Sequence, residues 1–275
     1  MPFRRFQIPV GCVIIIKITL AAPLWAFWKE WLCMKKSTHR ITPMLAALAG
    51  ALLGFALRCW QLSRGADITG RLRAGHPSGI VLAVFCVVIV AALALLSRRL
   101  EPRSGYMETF SSSGLMLAVS AVSAVALAFS AALTMMAERT GTQFFIGALG
   151  LLAGLCVAVT AAQRFRGVVP PLAMHVLPCA YLAARLIVIF KRWSVDPVVQ
   201  DYCYNLFSSI ATMCAAYHLG GFCLDRGQRR LSAFWCLTGV VFSAIALTGP
   251  GMPQRLFYGA MFLWCAANGW QLLED

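Results

Sequence analysis

Residues 79–97 read GIVLAVFCVVIVAALALLS, a run without one charged side chain. A transmembrane helix needs about 20 predominantly apolar residues to cross about 30 Å of hydrocarbon. Eight such runs, joined by short connections, follow residue 40: 43–60, 79–97, 112–137, 144–163, 169–190, 197–222, 231–248 and 254–272. The sequence therefore predicts an all-α fold, a polytopic integral membrane bundle with eight transmembrane helices.

The composition agrees with a chain whose main partner is the lipid bilayer. Of its residues, 60% are hydrophobic and 12% are charged, whereas soluble domains carry about 25% charged residues. A net charge of +14 would also suit nucleic acid, but the basic residues sit at the ends of apolar runs and form no stripe interleaved with aromatic side chains. We therefore expect no nucleic-acid partner.

The distribution of lysine and arginine predicts an orientation. Cytoplasmic loops are enriched in both residues, and alternate connections after residue 34 hold 11 and 8 of them. The first set is Lys35, Lys36, Arg40, Arg98, Arg99, Arg103, Arg164, Arg166, Arg226, Arg229 and Arg230, and the second is Arg58, Arg64, Arg71, Arg73, Arg139, Lys191, Arg192 and Arg255. This bias predicts a multi-pass cell-membrane protein with both termini cytoplasmic, and the short loops suit a bacterial plasma membrane.

Residues 1–33 are treated separately from a single transmembrane domain at 34–275. Residues 10–28 are apolar but interrupted by Lys17 and Pro23, and they predict a ninth span if the segment is part of the native protein. A second hypothesis is that translation starts at Met34, because codons for residues 28–30 can contain a purine-rich ribosome-binding sequence three codons upstream. A signal peptide is disfavoured because no A-x-A site follows.

A buried charge pair is predicted between the fifth and sixth runs. Arg185 lies about two turns inside the end of the fifth run, and Asp201 lies about one turn into the sixth. The two helices are antiparallel neighbours, so both charges should reach similar depths, where an unpaired charge costs several kcal/mol. We predict an Arg185–Asp201 contact, with Asp196 as the alternative partner. In the other interpretation Arg185 snorkels to the interface.

Polar residues continue along one face of the sixth run. Asp201, Asn205, Ser208 and Thr212 follow at intervals of four, three and four, which is helical spacing. With Arg185, they predict an outward-facing cleft between spans five and six that binds or passes a small polar or anionic solute. The stripe equally suits interhelical hydrogen bonding.

The alternative function is a non-catalytic structural or regulatory subunit. Small residues recur every fourth position in several runs, for example Ala46, Gly50 and Gly54. Such stripes let helices approach closely. They would pack within the chain, or dock a membrane protein partner or a second copy.

A second polar layer lies near the predicted cytoplasmic side. His175 and His218 are candidate proton-responsive groups, and Gln163 and Asn268 fall at similar depth. A third hypothesis is an enzyme acting on lipid, with either histidine as base.

No catalytic residue, cofactor or metal ligand set is predicted. The chain has no G-x-S-x-G, H-E-x-x-H or P-loop motif. Its 11 cysteines form no C-x-x-C pair, and most lie inside apolar runs.

Overall fold

The computed structural model describes residues 41–65, 76–111, 113–137, 140–193, 202–249 and 251–274. These ranges contain helices and no strand. The helices are α1 (Ile41–Gly65), α2 (Pro77–Arg98), α3 (Tyr106–Thr109), α4 (Gly114–Ala137), α5 (Gly141–Phe165), α6 (Ala173–Trp193), α7 (Cys203–Phe222), α8 (Arg229–Ala246) and α9 (Met252–Leu273). The all-α prediction is confirmed. The predictions for residues 1–33 fall outside the described ranges.

Each of the eight apolar runs contains one long helix in the described residues, and the short α3 lies in the connection between α2 and α4. Five helices, α1, α2, α4, α5 and α6, are long and apolar enough to cross a membrane. The other three are more polar, and in α8 14 of 18 residues are buried. A helix surrounded by protein can carry serine and threonine because those hydroxyls meet other helices instead of hydrocarbon.

The helices α4 to α9 form a closed ring. Each of them packs against the next in sequence, and α9 packs back against α4. Helix α2 lies outside this ring against α8. A closed ring gives its members an inner face that is covered by other helices of the ring.

Helix α1 packs against α2 and α8 through two glycines. A Cβ atom built on Gly50 would lie 2.8 Å from Ile89 Cγ1, and one on Gly54 would lie 2.8 Å from Ile245 Cγ1. Both distances are inside normal contact, so an added Cβ at either position would require the isoleucine side chain to shift. This part of the predicted small-residue stripe therefore packs within the chain.

Hydrogen bonds gather several connections at one end of the bundle. Ser111 Oγ donates to the Glu274 carboxylate at 3.0 Å, Arg229 Nε donates to the Leu272 carbonyl at 2.6 Å, and Arg230 Nε donates to the Leu100 carbonyl at 2.7 Å. We call this the terminal end, because the carboxyl-terminal residues lie there. Of the residues predicted to face the cytoplasm, Arg164, Arg229 and Arg230 lie at this end. The opposite end is called the far end.

Candidate functional site

An aromatic cage surrounds Arg185 toward the far end of the ring. Arg185 is 8% exposed, and its guanidinium carbon lies 3.8 Å from the centre of the Phe257 ring in α9. The buried hydroxyls of Tyr181 and Tyr258 also interact with this guanidinium. Tyr181 is one helical turn before Arg185, so both side chains share a face of α6. A cation over an aromatic face is stabilised by the ring quadrupole.

This cage does not satisfy the whole guanidinium. Among the described residues, Arg185 Nε is buried and has no hydrogen-bond partner. Asp201 and Asp196 lie outside the described residues, so the Arg185–Asp201 contact remains a prediction. In the described residues Arg185 is therefore a buried cation whose neighbours are aromatic side chains.

The predicted stripe of α7 faces a different helix. Ser208 Oγ lies 2.9 Å from Ser243 Oγ of α8, and Thr212 Oγ1 donates to the Ser208 carbonyl at 2.8 Å. Both side chains are fully buried. In the described part of the chain no hydrogen bond joins either of them to Arg185. This section of the stripe lies in the α7–α8 interface.

The next residue of α7 reaches the arginine cage instead. The Ser209 hydroxyl donates to the Asn205 carbonyl at 2.9 Å and interacts with the Tyr258 hydroxyl. Asn205 itself is half-buried. The described α7 side chain that reaches the cage is therefore Ser209, which follows Ser208 and is not a member of the predicted stripe.

A second arginine centre lies near the terminal end. Arg164, in the last turn of α5, donates from Nε to the Tyr106 hydroxyl at 2.6 Å. Its Nη1 donates to Asn268 Oδ1 at 2.6 Å and to Gln271 Oε1 at 3.0 Å, both on α9. Its guanidinium carbon lies 4.0 Å from the centre of the Phe110 ring. From the sequence, Arg164 had been interpreted only as a loop cation.

The contacts of Arg164 are with neutral groups. Burial raises the pKa of the Tyr106 hydroxyl, although the nearby Arg164 acts in the opposite direction. The phenol therefore stays protonated at neutral pH, while a guanidinium is always charged. Within the described ranges no carboxylate hydrogen-bonds to Arg164 or Arg185. The carboxylates in those ranges all lie on connections or at the chain's end: Glu101, Glu108, Asp225 and Glu274.

A small cavity with both polar and apolar walls lies inside the ring beside Arg164. It has a volume of about 20 Å³ and is lined from α4, α5, α6, α7 and α9. This is room for a single water-sized group. Thr160, 8% exposed, lines the cavity, and its Oγ1 has no hydrogen-bond partner among the described residues. His175 and Asn268 of the predicted polar layer meet here, whereas His218 lies outside.

His175 also contacts a cysteine. Its Nδ1 lies 3.6 Å from Cys223 Sγ. Burial raises the pKa of the Cys223 thiol, although Arg164 lowers it by a smaller amount. A nucleophilic cysteine needs a lowered pKa, so this pair does not resemble a catalytic thiolate–histidine arrangement. No cluster of three metal-ligating side chains occurs in the described part of the chain.

Comparison with known proteins finds no matching family model, no matching curated protein and no matching solved structure. Function must therefore be argued from the two arginine centres and the cavity.

Proposed function

We propose that this chain is a membrane protein with eight spans that binds an anionic solute inside the α4–α9 ring and passes it between Arg185 and Arg164. One observation carries the proposal: the buried Arg185 and the half-buried Arg164 lie in the ring, and their described partners are aromatic or neutral. A buried charge without a counter-charge is costly, and a bound anion would lower that cost.

Arg185 remains a ligand-binding residue, as predicted from the sequence, but the proposed binding position differs from the predicted cleft between α6 and α7. Ser208 and Thr212 are engaged with α8 and with their own backbone. The ring interior offers free polar capacity instead, at Arg185 Nε and Thr160 Oγ1. Binding is accordingly placed inside the ring instead of in an outward cleft between α6 and α7.

This conformation is a closed one. A cavity of about 20 Å³ admits no solute much larger than water, so passage requires a helix to move. Helix α6 is suited to move, because Pro178 lies inside it and lines the cavity. Proline removes one backbone hydrogen bond and weakens the helix locally.

The second candidate is a non-catalytic structural subunit. The tight Gly50 contact and the Ser208–Ser243 hydrogen bond favour it. In that role the arginines join helices, and no soluble anion affects the protein. The first candidate therefore predicts that an added anion stabilises the protein, and the second predicts no effect.

Thermal unfolding of the purified full chain in lipid nanodiscs tests the proposal. The probes are chloride, phosphate and the carboxylates from acetate to palmitate, at constant ionic strength. An anion that binds the folded state at about 100 times its Kd stabilises it by about 2.7 kcal/mol. We expect at least one probe to raise the Tm, and the variants Arg164→Gln and Arg185→Gln to lose that shift.

The matched control is Arg98→Gln, which removes an exposed arginine of α2 outside the ring. It should keep the full shift. Absence of a shift with every probe, or equal loss in the control, would overturn the proposal and favour the structural candidate.

A further inference from the structure

A groove runs between α6 and α7 in the terminal half of the bundle. Its volume is about 640 Å³, and it is lined by residues between 172 and 183 and between 216 and 228. Several of the side chains on its walls are exposed and apolar, including Val176 at 52%, Tyr217 at 71% and Leu224 at 57% exposed. In a membrane-embedded bundle, such a surface faces hydrocarbon.

The length of this groove matches one leaflet. Residues 172 to 183 span 11 steps along α6, which at 1.5 Å per residue is about 16 Å. Half of the hydrocarbon thickness is about 15 Å. A single extended acyl chain entering from the terminal end would therefore occupy the groove along its length.

The groove adjoins the small cavity beside Arg164 inside the ring of helices. His175 and Ala216 line both spaces. His175 is 4% exposed and is packed between them. One layer of side chains thus separates a lipid-facing groove from the cavity that Arg164 lines.

The charges along this path are positive or titratable. Arg226 stands at the terminal end of the groove, and His218 lies on its wall. Arg164 follows on the cavity side of His175. The nearest described carboxylate along the chain, Asp225, does not line the groove. An anionic head group would meet favourable groups from the interface to the ring interior.

We infer that the ligand is a single-chain anionic lipid that reaches the ring sideways from the bilayer. Its hydrocarbon tail lies in the α6–α7 groove, and its head group moves past His175 toward Arg164. The inference rests on the proposed anion-binding function and adds the substrate class and the access route. A carboxylate and a phosphate head group share the chemistry that a guanidinium recognises.

Photo-crosslinking of the full chain in nanodiscs tests this assignment. The probe is palmitate carrying a diazirine in its chain, with labelled positions mapped by mass spectrometry. We expect labelling to concentrate at residues 172–183 and 216–224. Ala180→Trp, which fills the groove from an exposed position, should lose most of it, whereas Ala91→Trp on the exposed face of α2 should keep it.

A second experiment compares two competing ligands on the wild-type protein, so it does not depend on whether a groove variant folds. Unlabelled palmitate should displace the probe from the wild-type groove, and the uncharged hexadecanol should not. Labelling that is spread over all exposed helix faces, or displaced equally by the alcohol, overturns the inference. If acetate stabilises the protein as well as palmitate does, the lipid assignment fails while anion binding stands. If no anion stabilises it, the proposed function fails first.

Discussion

Replacing Gln271 by glutamate places a counter-charge beside Arg164. Gln271 is 4% exposed, and its Oε1 accepts from Arg164 Nη1 at 3.0 Å. Its Nε2 donates to the Ser111 carbonyl at 3.3 Å. A glutamate keeps the acceptor in place, adds one negative charge, and loses the longer hydrogen bond. The variant therefore gives Arg164 a negative charge from the protein itself, in place of the charge that the proposed anionic ligand provides.

The expected effects on stability and on binding differ in size. Giving the Arg164 guanidinium a carboxylate acceptor in place of a neutral amide makes both partners charged and adds about 1 kcal/mol. Loss of the Ser111 contact removes a similar amount, so the free energy of unfolding should change by less than about 1 kcal/mol. Two unit charges 4 Å apart interact by about 4 kcal/mol at an effective dielectric constant of 20. Losing half of that attraction, about 2 kcal/mol, weakens anion binding about 30-fold.

Anion titrations followed by thermal unfolding measure both quantities, and Gln271→Met is the matched control. Methionine has a similar volume and no charge, but it loses both hydrogen bonds of Gln271, so it should cost about 2 kcal/mol of stability and retain anion binding. If the glutamate variant binds the anion as the wild type does, the charge argument is refuted. Equal weakening in both variants would show that the neutral contact matters instead.

Two further substitutions test the packing around the site. Gly50→Leu should destabilise the fold by about 1–3 kcal/mol because it overpacks the contact with Ile89; Gly114→Ala, with nothing within 4 Å of the added Cβ, should be neutral in the same chemical denaturation assay. Phe257→Leu removes the phenyl group that contacts the Arg185 guanidinium. It should cost about 2 kcal/mol or more of unfolding free energy, since a desolvated cation–π contact is lost. An unchanged free energy of unfolding would show that the cage does not hold the cation.

The helices could be predicted because their signal is local. Residues 79–97 fall inside α2, since an apolar run in lipid can satisfy its backbone only as a helix. The four-residue α3 was missed because it lies in a basic connection without helical periodicity. Ser208 and Thr212, which the 3.6-residue period predicts to share a helix face, are both buried.

The identity of the facing helix could not be predicted. Ser208 meets Ser243 of α8, and this depends on the order of helices around the ring, which short connections do not fix. Arg164 and Arg58 were interpreted as loop cations from their positions at the ends of runs. Arg58 is 6% exposed and lies 5.0 Å from the Tyr204 ring centre. Arg58 also donates to Gln61, three residues away, at 2.6 Å. The contacts of Arg58 with Tyr204 and of Arg164 with Asn268 join residues far apart in the sequence, and no local pattern encodes them.

The location of a bound halide tests the central claim most directly. Crystals of the protein grown or soaked in sodium bromide would be measured at the bromine absorption edge. The account predicts an anomalous peak inside the ring, within reach of Arg164 and Thr160. Peaks confined to exposed arginines at the terminal end, with none inside the ring, would contradict it.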